Sequence, residues 1–130
     1  MILLVRTDKP DAELYLYEAG NQKDSLKWLA HRELSDTLLL KIAELLKRNN
    51  VTKTDITGIA VYKGPGSFTG LRIGLTVANT FAYTNNIPIA AATGEGWIED
   101  ALKQLHNQHK YQEPAVPLYG SEARITQPKK

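Results

Sequence analysis

The sequence contains no cysteine, which excludes disulfide bonds and any metal site held by thiolates. It also lacks an apolar run approaching the ~20 residues of a membrane-spanning helix. Basic and acidic side chains nearly balance, and the net charge of +2 is too small to indicate nucleic-acid binding by itself. The opening run Met1–Val5 is too short for a signal peptide. We therefore expect a cytoplasmic protein whose 130 residues form one domain.

Hydrophobic periodicity predicts an α/β chain with the order three strands, helix, strand, helix, strand, helix. The predicted strands are Met1–Val5, Ala12–Glu18, Ser25–His31, Ile56–Tyr62 and Ile87–Ala92; the predicted helices are 35–47, a helix after the glycine turn to about Tyr83, and 95–109. Short links between the first three strands favour an antiparallel meander, and the later strands are expected to be parallel. This is the order of the ribonuclease H-like half-domain of actin-like ATPases. We expect one actin-like domain over residues 1–110 and an extended tail over 111–130.

A glycine-rich turn, Gly64–Gly74 with the sequence GPGSFTGLRIG, separates the fourth strand from the second helix. Its glycines and proline suit a tight turn, and the hydroxyl of Ser67 or of Thr69 can cap the helix that follows. The turn lacks the Lys of a Walker loop and the glycine spacing of a dinucleotide fingerprint. Free amides at a helix start can bind an anion, although a purely structural turn remains the alternative. The candidate nucleotide or anion contacts are Gly64, Gly66, Ser67, Thr69 and Arg72.

The second helix carries more apolar surface than one sheet can cover, and the first helix has a similar excess. Gly70, Gly74, Ala78 and Ala82 lie four residues apart, which would let another helix approach closely. We therefore expect an interface on these two helices. Its predicted residues are Leu38, Leu39, Ile42, Gly70, Leu71, Gly74, Leu75, Ala78 and Phe81. In the alternative, the third helix and the tail cover this surface within the chain.

Residue patterns of catalytic and metal sites are weak in this sequence. His106 and His109 lie three apart but have no obvious third ligand for zinc. Ser67 does not lie in a nucleophile elbow, and no histidine is placed by sequence to activate it. We expect no catalytic residue and no metal site.

The string Gly64–Gly74 resembles the signature of the TsaB (YeaZ) family, a bacterial family with a ribonuclease H-like fold. The similarity in element order runs from Met1 to about Leu102 and is sharpest from Ile59 to Ile89. The resemblance implies a role in tRNA modification, the synthesis of threonylcarbamoyladenosine beside the anticodon. Family members pair with TsaD, which carries the chemistry, and engage the ATPase TsaE.

Two departures from the family pattern bear on activity. Arg6 stands where the family usually has an acid, which argues against a metal–phosphate role at the first strand. After the third helix the sequence passes almost directly to Pro114–Tyr119, which resembles the family's closing tail, so the usual second lobe is expected to be absent. One lobe does not form a complete nucleotide cleft. We therefore expect a pseudo-ATPase partner subunit that binds no cofactor when isolated. ATP or ADP and Mg would bind only in the assembled complex.

The resemblance thus implies a noncatalytic scaffold that pairs with TsaD through its first two helices. It would support threonylcarbamoyl transfer to tRNA, contact TsaE, and reach tRNA only through the complex. The isolated chain is expected to form a homodimer. The alternative is a nucleotide- or anion-binding enzyme that uses the Gly64–Gly70 turn.

Overall fold

A five-stranded mixed sheet organises the computed structural model, which describes residues 1–118. The strands are β1 (Ile2–Arg6), β2 (Asp11–Glu18), β3 (Asn21–Leu29), β4 (Gly58–Tyr62) and β5 (Ile89–Ala92); the helices are α1 (Leu34–Arg48), α2 (Phe68–Asn85) and α3 (Trp97–Leu105). Short 3₁₀ helices cover His31–Glu33 and Lys53–Asp55. No helix in this part of the chain combines the length and apolarity needed to cross a membrane.

The strand order is β3-β2-β1-β4-β5, with β1, β2 and β3 antiparallel and β4 and β5 parallel to β1 and to each other. This topology confirms the predicted fold class, a ribonuclease H-like mixed sheet, and the predicted order of elements. Several boundaries differ from the prediction, and the largest shifts are at the start of β3 and the end of α3. β3 begins at Asn21 because pairing with β2 starts at once after the turn, and α3 ends at Leu105.

The two faces of the sheet carry different helices. Leu14 and Leu16 are fully buried, and their strand partners on β3 share that face with Trp28. The indole Nε1–H of Trp28 donates to Thr37 Oγ1 of α1 at 3.0 Å, so α1 lies on this face, with α2 beside it. Tyr15 alternates to the other face, where its ring meets Trp97 of α3 at 6.3 Å between centroids. The sheet is therefore enclosed by α1 and α2 on one side and α3 on the other.

The small-residue face of α2 lies against the chain's own sheet. A Cβ on Gly74 would overlap Thr7 Oγ1, and one on Gly70 would overlap the Thr7 carbonyl oxygen. Thr7 Oγ1 also donates to the Gly70 carbonyl at 2.7 Å, which fixes this close approach. The predicted approach of a second helix on this face is therefore wrong. A four-residue spacing shows that small residues share a face, but it does not show where that face points.

The predicted tail is described as far as Leu118, and residues 119–130 lie outside the described part of the chain. The division into a domain of residues 1–110 and a tail of 111–130 stays a prediction. Residues 111–118 contact α2 and the glycine turn rather than extending away from the domain.

Candidate functional site

The glycine turn is packed on both sides by the chain itself. A Cβ on Gly64 would overlap the Leu118 carbonyl oxygen, and one on Gly66 would lie 2.5 Å from Asp8 Cβ. The Ser67 N–H donates to the Asp8 carbonyl at 3.1 Å. Ser67 is the N-cap of α2, because its Oγ accepts from the Gly70 N–H at 3.4 Å. The space beside Gly64 and Gly66 is thus filled by protein, and their contact with an anion stays a prediction.

Arg72 lies exposed on the first turns of α2 with its guanidinium carbon 5.2 Å from the centroid of the Phe68 ring. Within residues 1–118 it has no carboxylate within ion-pair distance. Asp8 is bound by Arg6, and Asp55 accepts from Thr52. The cation therefore interacts with an aromatic face rather than with the carboxylate of Asp8 or Asp55.

An apolar groove remains open between α1 and α2. Two adjoining cavities of about 410 and 330 Å³ share Thr76 and Val77, so the groove runs along most of α2. It is lined on α1 by Ser35 and Leu39, on α2 by Phe68, Thr69, Arg72, Ile73, Thr76, Val77, Thr80, Phe81, Thr84 and Asn85, and beside them by Lys53. We call these residues the α1–α2 face. Leu39 is 60% exposed at the rim of this groove, so its side chain continues the apolar surface of α2 onto α1.

The structure separates the predicted interface residues into two groups. Leu39 and Phe81 line the α1–α2 face. The others are buried in the core or, for Gly70, packed on Thr7: Leu38, Ile42, Gly70, Leu71, Gly74, Leu75 and Ala78. Ile73 and Val77 are half-buried residues of the groove that the predicted site omitted. Ile73, Val77 and Phe81 follow one another at intervals of four residues, and this helical spacing could have placed all three on one face from the sequence.

A cluster of polar side chains lies at the end of β1, on the face of the sheet that packs against α3. Arg6 donates to both carboxylate oxygens of Asp8, at 2.8 and 3.2 Å, and its guanidinium lies 4.0 Å over the Tyr62 ring. The hydrogen bond with Asp8 raises the pKa of Arg6. Burial, and then the hydrogen bond to Glu13, raises the pKa of Tyr15. Asp8 is therefore held by a cation, and no group of three metal-ligating side chains occurs in residues 1–118.

A third cavity, of about 400 Å³, lies where β1 ends and α2 begins. Its polar wall contains Lys9, His31 and Arg32 together with Ser67 and Thr69. Among residues 1–118, no acidic side chain lines it. Neither Lys9 nor Arg32 takes part in an ion pair within the described residues, so two cationic side chains lie beside the N-terminus of α2.

Comparison with known proteins identifies the family to which this chain belongs. A family model described as TsaD: tRNA N6-adenosine threonylcarbamoyltransferase matches residues 28–123. The tRNA threonylcarbamoyladenosine biosynthesis protein TsaB of Bacillus subtilis is 35% identical over 92 residues. A solved structure of YeaZ from Pseudomonas aeruginosa superposes with a TM-score of 0.67 at 27% identity. The chain belongs to the TsaB (YeaZ) family. The resemblance predicted from the glycine turn is thereby confirmed.

Relatives named for the transferase match this TsaB-family chain as well. The tRNA N6-adenosine threonylcarbamoyltransferase of Listeria monocytogenes is 43% identical over 61 residues, which are 47% of this chain and 18% of that enzyme. The Bacillus TsaB match covers 71% of this chain and 35% of that protein. The Pseudomonas YeaZ match covers 71% of this chain and 43% of that one. The chain thus spans well under half the length of these relatives.

Proposed function

We propose that this protein is a noncatalytic scaffold subunit in the synthesis of threonylcarbamoyladenosine on tRNA. In this proposal it docks its α1–α2 face on a TsaD-type transferase. The observation that carries the proposal is the open apolar groove between the two helices, with Leu39 60% exposed at its rim. Membership of the family supports a role in this synthesis, and the groove offers an apolar surface to which the partner could bind.

The polar cluster around Arg6 supports a noncatalytic role. A phosphate-transferring site of this fold would need an acid free to hold a metal ion at the end of β1. Here Asp8 is bound through both oxygens by Arg6. A bidentate pair of this kind is strong and leaves the carboxylate little capacity for another cation.

The proposal extends to the rest of the assembly. TsaE would join the complex, ATP or ADP with Mg would bind only after assembly, and tRNA would be reached only through the complex. When TsaD is absent, the same face would pair two copies of this chain as a homodimer. We place this assembly in the cytoplasm, where its tRNA substrate is found.

Substitution of one exposed leucine tests the docking face. Leu39→Asp puts a charge into the groove, and we expect it to weaken binding to TsaD at least tenfold because a buried unpaired charge is costly. Leu40→Asp is the matched control, since Leu40 is 69% exposed on the same helix and does not line the groove. Binding is measured by calorimetry with purified TsaD. Equal weakening by both variants would show that the groove is not the docking site.

Reconstitution tests the biological role. TsaD, TsaE and the threonylcarbamoyl-adenylate synthase are combined with tRNA, L-threonine, bicarbonate, ATP and Mg, with and without this chain. We expect modified adenosine in the nucleoside digest only when the chain, or its Leu40→Asp variant, is present. Full modification in its absence would refute the proposed role.

The cavity at the end of β1 favours a second candidate function, that of a nucleotide- or anion-binding enzyme. Lys9, His31 and Arg32 lie around one opening beside the N-terminus of α2, near the predicted contacts Ser67 and Thr69. Calorimetry of the isolated chain with ATP, ADP and Mg separates the two candidates. Tight binding that Arg32→Glu abolishes would favour this second function over a scaffold.

A further inference from the structure

Residues 111–118, which we call the strap, lie along one flank of α2. At one end, the Tyr111 ring meets the Tyr83 ring edge-on at 5.4 Å between centroids, and the Tyr111 N–H donates to Asn86 Oδ1 at 3.3 Å. At the other end, the Leu118 N–H donates to the Lys63 carbonyl at 2.6 Å. The strap therefore connects the C-terminal end of α2 to the turn that precedes its N-terminus.

The centre of the strap is fixed by a single side chain. Asn79 Nδ2 donates to the Ala115 carbonyl at 2.9 Å, and the Ala115 N–H donates to Asn79 Oδ1 at 2.8 Å. One carboxamide thus satisfies both backbone groups of one strap residue, as a neighbouring β-strand would. Such a pair defines the register of the strap on α2, because sliding by one residue would break both hydrogen bonds.

The strap ends against the glycine turn. The Leu118 carbonyl oxygen occupies the space where a side chain on residue 64 would lie. On its other side the turn is held by Asp8, whose carbonyl accepts from the Ser67 N–H at 3.1 Å. The turn is therefore clamped between the strap and the loop that joins β1 to β2.

We propose that the strap is an intramolecular latch that sets the conformation of the glycine turn. Ser67 caps α2, so a seated strap also fixes the first turn of α2, which presents Phe68 and Arg72 to the α1–α2 face. Release of the latch loosens the turn and that end of the face. This consequence for docking rests on the proposed function, whereas the coupling of strap to turn does not.

Amide hydrogen exchange in the full chain, followed by NMR, tests the latch. Asn79→Ala removes both hydrogen bonds to Ala115. Exchange should accelerate at least tenfold at the Ala115 and Leu118 amides and also at the Ser67 amide, which makes no contact with Asn79. Asn85→Ala is the matched control, because within residues 1–118 the Asn85 carboxamide bonds only to Phe81 and Thr84 of the same helix. The control should leave the Ser67 amide unchanged.

A second variant perturbs the strap and leaves α2 intact. Ala115→Pro removes the N–H that Asn79 accepts from, and it should accelerate Ser67 exchange as Asn79→Ala does. The two changes combined should have no larger effect than either alone, because both break the same contact. Val61 in β4, fully buried, reports on global stability.

Acceleration at Ser67 that exceeds acceleration at Val61 in both variants supports the latch. Faster exchange at Ala115 and Leu118 without a change at Ser67 would overturn it, since the strap would then be attached without controlling the turn. Equal acceleration at Ser67 and Val61 would overturn it as well. Binding of the unchanged chain to TsaD is measured separately. Its failure to bind would refute the proposed function without affecting the exchange result.

Discussion

Thr7 determines which residues α2 can carry at two positions. Its side chain and its carbonyl lie where side chains on Gly74 and Gly70 would otherwise lie. Thr7 is 1% exposed and its hydroxyl is hydrogen-bonded to α2, so it cannot move aside without breaking that bond. The two glycines thus serve the contact between α2 and β1, which places the helix that forms one wall of the groove.

Gly74→Ala tests this packing at the scale of one methyl group. The new Cβ overlaps Thr7 Oγ1, and we expect the free energy of unfolding to fall by about 1–3 kcal/mol, as for other overpacked cores. Urea unfolding followed by circular dichroism measures the change. Thr76→Ala on the exposed side of α2 is the control.

The partner substitution identifies the cause. Thr7→Ala removes Oγ1, so the double variant with Gly74→Ala should recover part of the loss that Gly74→Ala causes alone. The double-mutant cycle would then show a favourable coupling between the two alanines. Additive losses would mean that the close contact with Thr7 is not what excludes a side chain at position 74.

At the scale of elements, α1 is tied to β3 by a charged contact at its C-terminal end. Arg48 donates to both carboxylate oxygens of Asp24, at 2.7 and 3.0 Å, and to the Ser25 carbonyl. Asn49 Nδ2 adds a third bond to Asp24 at 2.8 Å. Hydrogen bonds from Arg48 first, and from Asn49 second, hold the pKa of Asp24 well below its ordinary value of 3.8.

This contact predicts how stability depends on pH. A carboxyl whose pKa is lower in the folded state stabilises the fold above its unfolded pKa, and that contribution is lost as pH falls through the folded pKa. The Asp24→Asn variant should therefore be less stable than wild type at neutral pH by an amount that stays constant down to about pH 5 and then shrinks. Urea unfolding at a series of pH values measures the difference. A gap that persists unchanged to pH 2 would exclude ionisation of Asp24 as its source.

The same element scale shows how far sequence patterns reach. Alternating and helical periodicities predicted all five strands and three helices, because each depends on residues a few positions apart. Ser67 was one of two predicted caps for α2, and it is the cap. The direction of the Gly70–Gly74 face was missed because it depends on Thr7, more than sixty positions away in the chain.

The same limit applies to the strap. Asn79 and Ala115 are 36 positions apart, and nothing in the local pattern of either residue indicates that they meet. For the α1–α2 face, the sequence pattern predicted an apolar surface that includes Leu39 and Phe81. It did not show which of the other apolar residues lie in the core and which line the groove.

At the scale of the whole molecule, the two helical layers share one sheet. Leu3 and Val5 alternate along β1 with Leu4, and all three side chains are fully buried, so both faces of the central strand belong to one core. Loss of either helical layer would expose one of these faces to water. We therefore expect the layers to unfold together, and the two tryptophans of the chain make this testable because one lies on each side of the sheet.

Single-tryptophan variants report on each layer separately. Trp28→Phe leaves Trp97, which is 3% exposed and packs edge-on to Tyr62 at 5.8 Å on the α3 side. Trp97→Phe leaves Trp28, which is hydrogen-bonded to α1. In each variant the fluorescence transition in urea should coincide with the transition seen by far-ultraviolet circular dichroism, as for a two-state domain of this size. Trp97→Phe should have the lower midpoint, because it removes the more deeply buried ring. A fluorescence transition of Trp97 that precedes the loss of secondary structure would show that α3 detaches first, and the α1–α2 face would then be carried by a sheet that is stable with one side uncovered.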